Sequence, residues 1–181
     1  HHAATLQAMP SYAAFIGHQP HLSLAELAAT VPGFTLQGCI ERSVVLFESK
    51  ADLGPGFLDM LGGTVVLAKE IEGKYDIASL PDLLADQTRE IPTKVTFSFR
   101  AVGADKNAVR DLFRLGKKRL KKAGKSSRYV GNERNAAPSI VLRTQGLLNG
   151  KEGCEICLVQ VDEKTLWVGR SVAAQDVEGY T

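Results

Sequence analysis

The sequence predicts an α+β fold, and three observations carry that expectation. Short apolar runs rich in β-branched and aromatic residues recur along the chain, among them SYAAFIG, SVVLFES, TVVLAKEI and GCEICLVQV, the signature of buried or half-buried strands. One stretch, from about Asp105 to Ala123, instead repeats its apolar residues at helical spacing. In the first half the runs follow the order strand, helix, strand, strand, helix, strand. The size, 181 residues with 44% hydrophobic and 23% charged residues, fits one medium or two small globular domains. No apolar run approaches the roughly 18 residues of a membrane span.

SYAAFIG, bounded by Pro10 and GHQP, reads as the first strand. LSLAELAATV follows with Ser23 as a candidate N-cap and Leu24, Leu27, Ala28 and Val31 on one helical face. VPG stops it. FTLQGCI and SVVLFES, separated by polar residues, predict a hairpin. ADLGPGFLDMLGG reads as a short, glycine-interrupted helix and TVVLAKEI as the closing strand. The order β-α-β-β-α-β is the ferredoxin-like plan.

EGKYDIASLPD marks a boundary, where a strand run ends and a proline follows. Beyond it, SLPDLLADQTRE predicts a helix. In the strand KVTFSFRAV, Val95, Phe97 and Phe99 alternate with Thr96, Ser98 and Arg100, which predicts one buried face and one polar face. The long helix has Asp105 to cap its start and Gly124 to end it. SIVLRTQGLLNG fits helix or strand on pattern alone. GCEICLVQV and KTLWVGRSV close the chain as two strands joined by a polar turn.

The chemistry-bearing residues are sparse. There is no Gly-rich dinucleotide fingerprint, no P-loop and no HExxH motif. Cys39, Cys154 and Cys157 are too few for a disulfide framework and fit a reducing cytoplasm. Cys154 and Cys157 form a C-x-x-C, but in a strand residues three apart point to opposite faces, so they read as two small buried hydrophobes. His18 and His21 lie close together in GHQPH without a third ligand and read as loop polarity. His1 and His2 read as the remnant of a purification tag, and HHAATLQAMP lacks the basic and apolar regions of a signal peptide. Catalytic residues, metal ligands and cofactor-binding residues are therefore all expected to be absent.

Charge is the informative property. The formal net charge is only +2, yet residues through Ile91 hold five Lys or Arg against eleven Asp or Glu, and the rest hold seventeen against nine. Residues 114–128, RLGKKRLKKAGKSSR, contain eight basic residues and no acid. On a helical wheel Val109, Leu112, Phe113, Gly116, Leu120 and Ala123 form the apolar stripe, while Arg110, Arg114, Lys117, Lys118, Lys121 and, just past Gly124, Lys125 form an adjacent cationic arc. Like charges three and four apart repel by a few tenths of a kcal/mol per pair, and a polyphosphate relieves them with counterion release. The run continues into KSSRYVGNERN, where Arg128, Asn132, Arg134 and Asn135 are candidate phosphate or base donors, Tyr129 is a candidate for stacking on a base or for packing, and Arg143 extends the set. A membrane surface fits less well, because the apolar stripe is needed by the core. Charge alone does not choose between RNA and DNA.

At GHQPHLSLAELAATV, LGGTVVLAKEI and above all WVGRSVAAQDVEGYT, the chain resembles the N-terminal part of the THUMP-containing RNA methylases, the group that includes archaeal and eukaryotic tRNA guanine-N2 methyltransferases. The resemblance implies a ferredoxin-like domain over residues 11–75 and a THUMP-like α/β domain over 76–175. It implies that 176–181 begins a linker to an S-adenosylmethionine-binding methyltransferase domain absent from this chain. It makes SIVLRTQGLL a helix, places the basic helix in the THUMP-like domain and implies contact with tRNA near its acceptor end. The family's Asp/Asn-Pro-Pro-aromatic motif has no match here, so no catalytic residue transfers and this chain alone is expected not to be an enzyme. The expectation is a cytoplasmic tRNA-binding region; the rival reading is a protein-interaction module using the acidic first half.

Overall fold

Among the described residues eight strands form one mixed sheet in the order β2-β3-β1-β4-β8-β7-β5-β6. The computed structural model describes residues 9–17, 20–61, 63–131 and 136–175. The strands are β1 (Ser11–Ile16), β2 (Thr35–Ile40), β3 (Val44–Glu48), β4 (Thr64–Glu70), β5 (Lys94–Val102), β6 (Ser126–Tyr129), β7 (Gly153–Gln160) and β8 (Leu166–Ala174). The helices are α1 (Pro20–Thr30), α2 (Leu80–Gln87), α3 (Lys106–Lys122) and α4 (Ser139–Thr144), with 3₁₀ turns at Pro55–Met60 and Ile77–Ser79.

In the first half β1 lies antiparallel between β3 and β4, and β2 joins β3 as the expected hairpin. The second helix of the expected order is the 3₁₀ segment Pro55–Met60, since two glycines and a proline around it leave too few helix formers for a longer element. In the second half β5 pairs in parallel with both β6 and β7, and β7 pairs antiparallel with β8. The two halves join through β4 and β8, where Val66–Glu70 run against Gly169–Ala174.

Residues opposite one another in neighbouring strands share a face. Tyr12, Lys69, Arg170 and Ile156 are such a row, and on their face lie α1, the Pro55–Met60 turn, α2 and α3. Leu80, Leu84, Val109, Leu112, Phe113 and Leu120 pack there on Val95, Phe97, Phe99 and Ile156, and Leu27, Leu58 and Leu61 pack on Tyr12, Phe47 and Leu67. The opposite face carries α4, with Leu142 and Leu147 against Phe15, Cys157, Val159 and Trp167.

Three expectations need correction. Ser23 is not an N-cap: α1 begins at Pro20, and the Ser23 hydroxyl donates to the Gly63 carbonyl at 3.0 Å. The polar face of β5 is not solvated: Thr96, Ser98 and Arg100 are 7%, 0% and 9% exposed, because β5 is flanked on both sides and its second face is covered as well. Ala123 is the exposed C-cap of α3 rather than part of its buried stripe. The helix implied for SIVLRTQGLL is present but spans only Ser139–Thr144.

Candidate nucleic-acid interface

The basic helix α3 is capped at both ends by its own sequence. The Asp105 carboxylate accepts from the Asn107 and Ala108 amides at 2.7 and 3.3 Å. At the other end Gly124, at φ +81°, lets the Lys125 amide reach the Leu120 carbonyl at 3.0 Å and the Gly124 amide reach Lys121 at 2.9 Å, a Schellman closure. Gly116 allows a close approach to the sheet: a Cβ there would stand 3.1 Å from both Leu84 and Phe97 and 3.3 Å from Phe99. The helix is thus fixed in rotation, and its outward residues are fixed with it.

Arg110, Arg114, Lys117 and Lys121 follow one another at helical spacing along the flank facing the sheet edge, and all four are exposed. Lys117 Nζ stands 6.0 Å from the centre of the Tyr129 ring on β6. Between this flank and β6 runs a groove of about 430 Å³ lined by Lys117, Lys121, Gly124, Lys125, Ser126 and Ser127. Lys118 sits on the other flank, beside Arg119 and Lys122 and over Ala78, Pro81 and Leu115. Arg119 is tied to Asp82 on α2 at 2.7 Å. None of Arg110, Arg114, Lys117, Lys118 and Lys121 forms an ion pair among the described residues.

Other candidate residues are placed differently. The Lys125 ammonium donates to the Thr88 and Arg89 carbonyls at 2.7 and 3.1 Å, where it closes the end of α2. Alternation in β6 sends Arg128 to the face opposite Tyr129, and its guanidinium donates to Gln145 beyond α4. Arg143, in the last turn of α4, donates to the Ala174 carbonyl at 2.9 Å, on the far side of the sheet from α3. Asn132, Arg134 and Asn135 lie outside the described residues, as does His18. Lys122 and Ser127 line grooves beside the helix and were not singled out from the sequence. The wheel position of Lys122, next to Lys118, was the available signal for it.

The C-x-x-C pair is split by the sheet. Cys154 packs in the cluster beneath α3 and Cys157 in the cluster beneath α4. Burial pushes the Cys154 thiol up to about 11 and the Cys157 thiol well above its ordinary range. Among the described residues no group of three or more His, Cys, Asp or Glu is placed to hold a metal ion. No described helix is long and apolar enough to cross a membrane. What the arrangement offers chemically is a fixed, unneutralised row of cations, which suits a polyanion.

No family model matches this chain, and no curated protein matches it. Among solved structures it is similar to PH1313 from Pyrococcus horikoshii Ot3, with a TM-score of 0.47 and 9% identity over 90% of this chain and 54% of that one. It is also similar to a 4-thiouridine synthetase solved as an RNA complex with bound ATP, with a TM-score of 0.42 and 10% identity over 90% of this chain and 41% of that one. The chain thus spans about half the length of the solved structures it matches.

Proposed function

We propose that this chain binds RNA through the exposed cationic surface of α3. The observation that carries the reading is the combination of a rigidly seated helix and five cations on it, Arg110, Arg114, Lys117, Lys118 and Lys121, without an ion-pair partner among the described residues. Within α3 only Asp111, next to Arg110 and one turn before Arg114, offsets part of their mutual repulsion, and Lys117, Lys118 and Lys121 have no acid of the helix within a turn of them. A phosphate backbone relieves that repulsion and releases its own counterions. One side of α3 is packed on the sheet and another against α2, and its exposed cations lie on the surface left between them, from the groove beside β6 to Lys118 on the α2 side. That geometry favours phosphate contacts over insertion of the helix into a major groove.

The resemblance at WVGRSVAAQDVEGYT extends the proposal. The RNA is a tRNA gripped near its acceptor end. This chain serves an S-adenosylmethionine-dependent guanine-N2 methyltransferase domain elsewhere in the protein, in the cytoplasm. The acidic segment 11–75 then acts as a spacer between the grip and the catalytic domain. Reversing Lys117, Lys118 and Lys121 together to Glu tests the core of the reading. Binding to tRNA is expected to be lost while the circular dichroism spectrum stays unchanged, since all three side chains are exposed. Unchanged affinity would overturn the assignment.

A further inference from the structure

The groove between α3 and β6 holds more than charge. Among the described residues β6 is the last strand of the sheet and pairs only with β5. The Ser126 and Val130 amides donate toward β5, to Thr93 at 3.0 Å and Phe97 at 2.9 Å. Alternate residues of such a strand face its neighbour, so the Ser127 and Tyr129 amides point to the open edge. The Ser127 hydroxyl is closed to solvent and has no hydrogen-bond partner among the described residues, a state that buried polar atoms rarely keep. A serine reaches a ligand by one rotation about χ1.

Tyr129 lies two residues on and therefore on the same face as Ser127. Its ring rests on Phe113 and Phe97, with centroids 5.2 and 5.9 Å away, yet the residue is 44% exposed. The aromatic surface is thus held firmly and left partly open beside Lys117. The one unfavourable feature is the C-terminal end of α3, which borders the groove. Its partial charge is about half an elementary charge, against the full charges of Lys117 and Lys121, and the amides of Ala123, Gly124 and Lys125 already occupy carbonyls of its last turn.

Resting on the RNA-binding reading above, we infer that the α3–β6 groove is a nucleotide subsite for single-stranded RNA. A backbone phosphate is held by Lys117, Lys121 and the edge amides of Ser127 and Tyr129, and the adjoining base stacks on the Tyr129 ring. The groove of about 430 Å³ takes the phosphate between Lys117, Lys121 and Ser127, and the Tyr129 ring, 6.0 Å from Lys117 Nζ, stands beside it for the base. A base inside a duplex is already stacked on both sides and has no face to offer.

The test is fluorescence anisotropy of the full chain with two labelled probes, a short single-stranded oligoadenylate and a blunt RNA duplex. Tyr129→Leu is expected to weaken the single strand by about 5- to 150-fold, the range for loss of one base–aromatic stack, and to leave duplex affinity unchanged. Tyr129→Trp restores single-strand binding and shows that the ring rather than the fold is at issue. Lys121→Gln lowers the steepness of the salt dependence for the single strand by about 0.7, as expected for one lost phosphate contact. The subsite is overturned if Tyr129→Leu leaves single-strand affinity intact or weakens both probes equally. If it falls while the triple Glu variant still abolishes binding, the RNA-binding reading stands without it. Absence of binding to either probe by the unaltered protein would remove both.

Discussion

Replacing Glu155 with Leu is expected to destabilise this protein severely, because it strands a guanidinium inside the structure. Arg100 and Glu155 sit on neighbouring parallel strands and point to the face covered by α4. Arg100 Nε donates to Oε1 of Glu155 at 2.8 Å and Nη2 to Oε2 at 3.4 Å, and the same Nη2 donates to the Ala137 carbonyl at 2.5 Å. The Ser171 hydroxyl donates to Glu155 at 2.6 Å, and the Phe15 ring centre lies 5.6 Å from the guanidinium carbon. Arg100 is 9% exposed and Glu155 not at all. Burial pulls the Arg100 pKa down, yet Glu155 more than offsets it and the net direction is upward, so the guanidinium stays charged. Removing one partner of a buried pair costs about 3–5 kcal/mol, whereas replacing both by apolar groups is often close to neutral. Glu155→Leu should therefore lower the melting temperature by roughly 6–20 °C, at about 2–4 °C per kcal/mol for a chain of this size. The double variant Arg100→Met with Glu155→Leu should lose clearly less. Guanidinium chloride unfolding of the wild type, both single variants and the double variant measures the coupling. A loss under about 1 kcal/mol for Glu155→Leu, or a double variant as unstable as the two singles together, would refute this account of the pair.

Two further predictions come from buried titrating groups. With a chromogenic thiol reagent near neutral pH, exposed Cys39 should react in the native protein, while Cys154 and Cys157 react only after unfolding, because burial keeps both thiols protonated. Prompt reaction of all three thiols without denaturant would contradict the buried strand. Burial, together with the neighbouring Asp52 carboxylate, pushes the Tyr12 phenol from its ordinary 10.0 up to about 12. A raised phenol pKa means that the folded state favours the protonated form. The stability it contributes is complete below about pH 10 and lost as pH rises toward 12. Urea unfolding midpoints should fall across that window in the wild type and fall less in Tyr12→Phe. Identical curves would rule out this linkage.

Much of this structure was legible because its signals are local. Asp105, the spaced apolar residues and Gly124 define α3 almost to the residue, and the cationic arc follows from its periodicity. The strands of the first half were equally readable, since each is a short apolar run between turn residues. What failed depends on partners distant in sequence. Alternation in KVTFSFRAV was real, but whether its polar face meets water depends on α4 and Ala137, about forty residues away. Ser23 looks like a cap because Ser precedes an apolar run, whereas Pro20 starts the helix three residues earlier, a position that tolerates its missing amide. Charge adjacency in sequence also overstated adjacency in space. Lys125 turns inward onto carbonyls of the α2 terminus, and Arg128 and Arg143 belong to the other side of the sheet.

The most direct test of the central claim is the affinity of this chain for tRNA, with and without the single-stranded 3′ end, across a salt series. Five phosphate contacts put the slope of log affinity against log salt at roughly −4. The account predicts micromolar or tighter binding that falls with that steepness and weakens when the 3′ end is removed. Absent binding, or binding indifferent to salt, would contradict it.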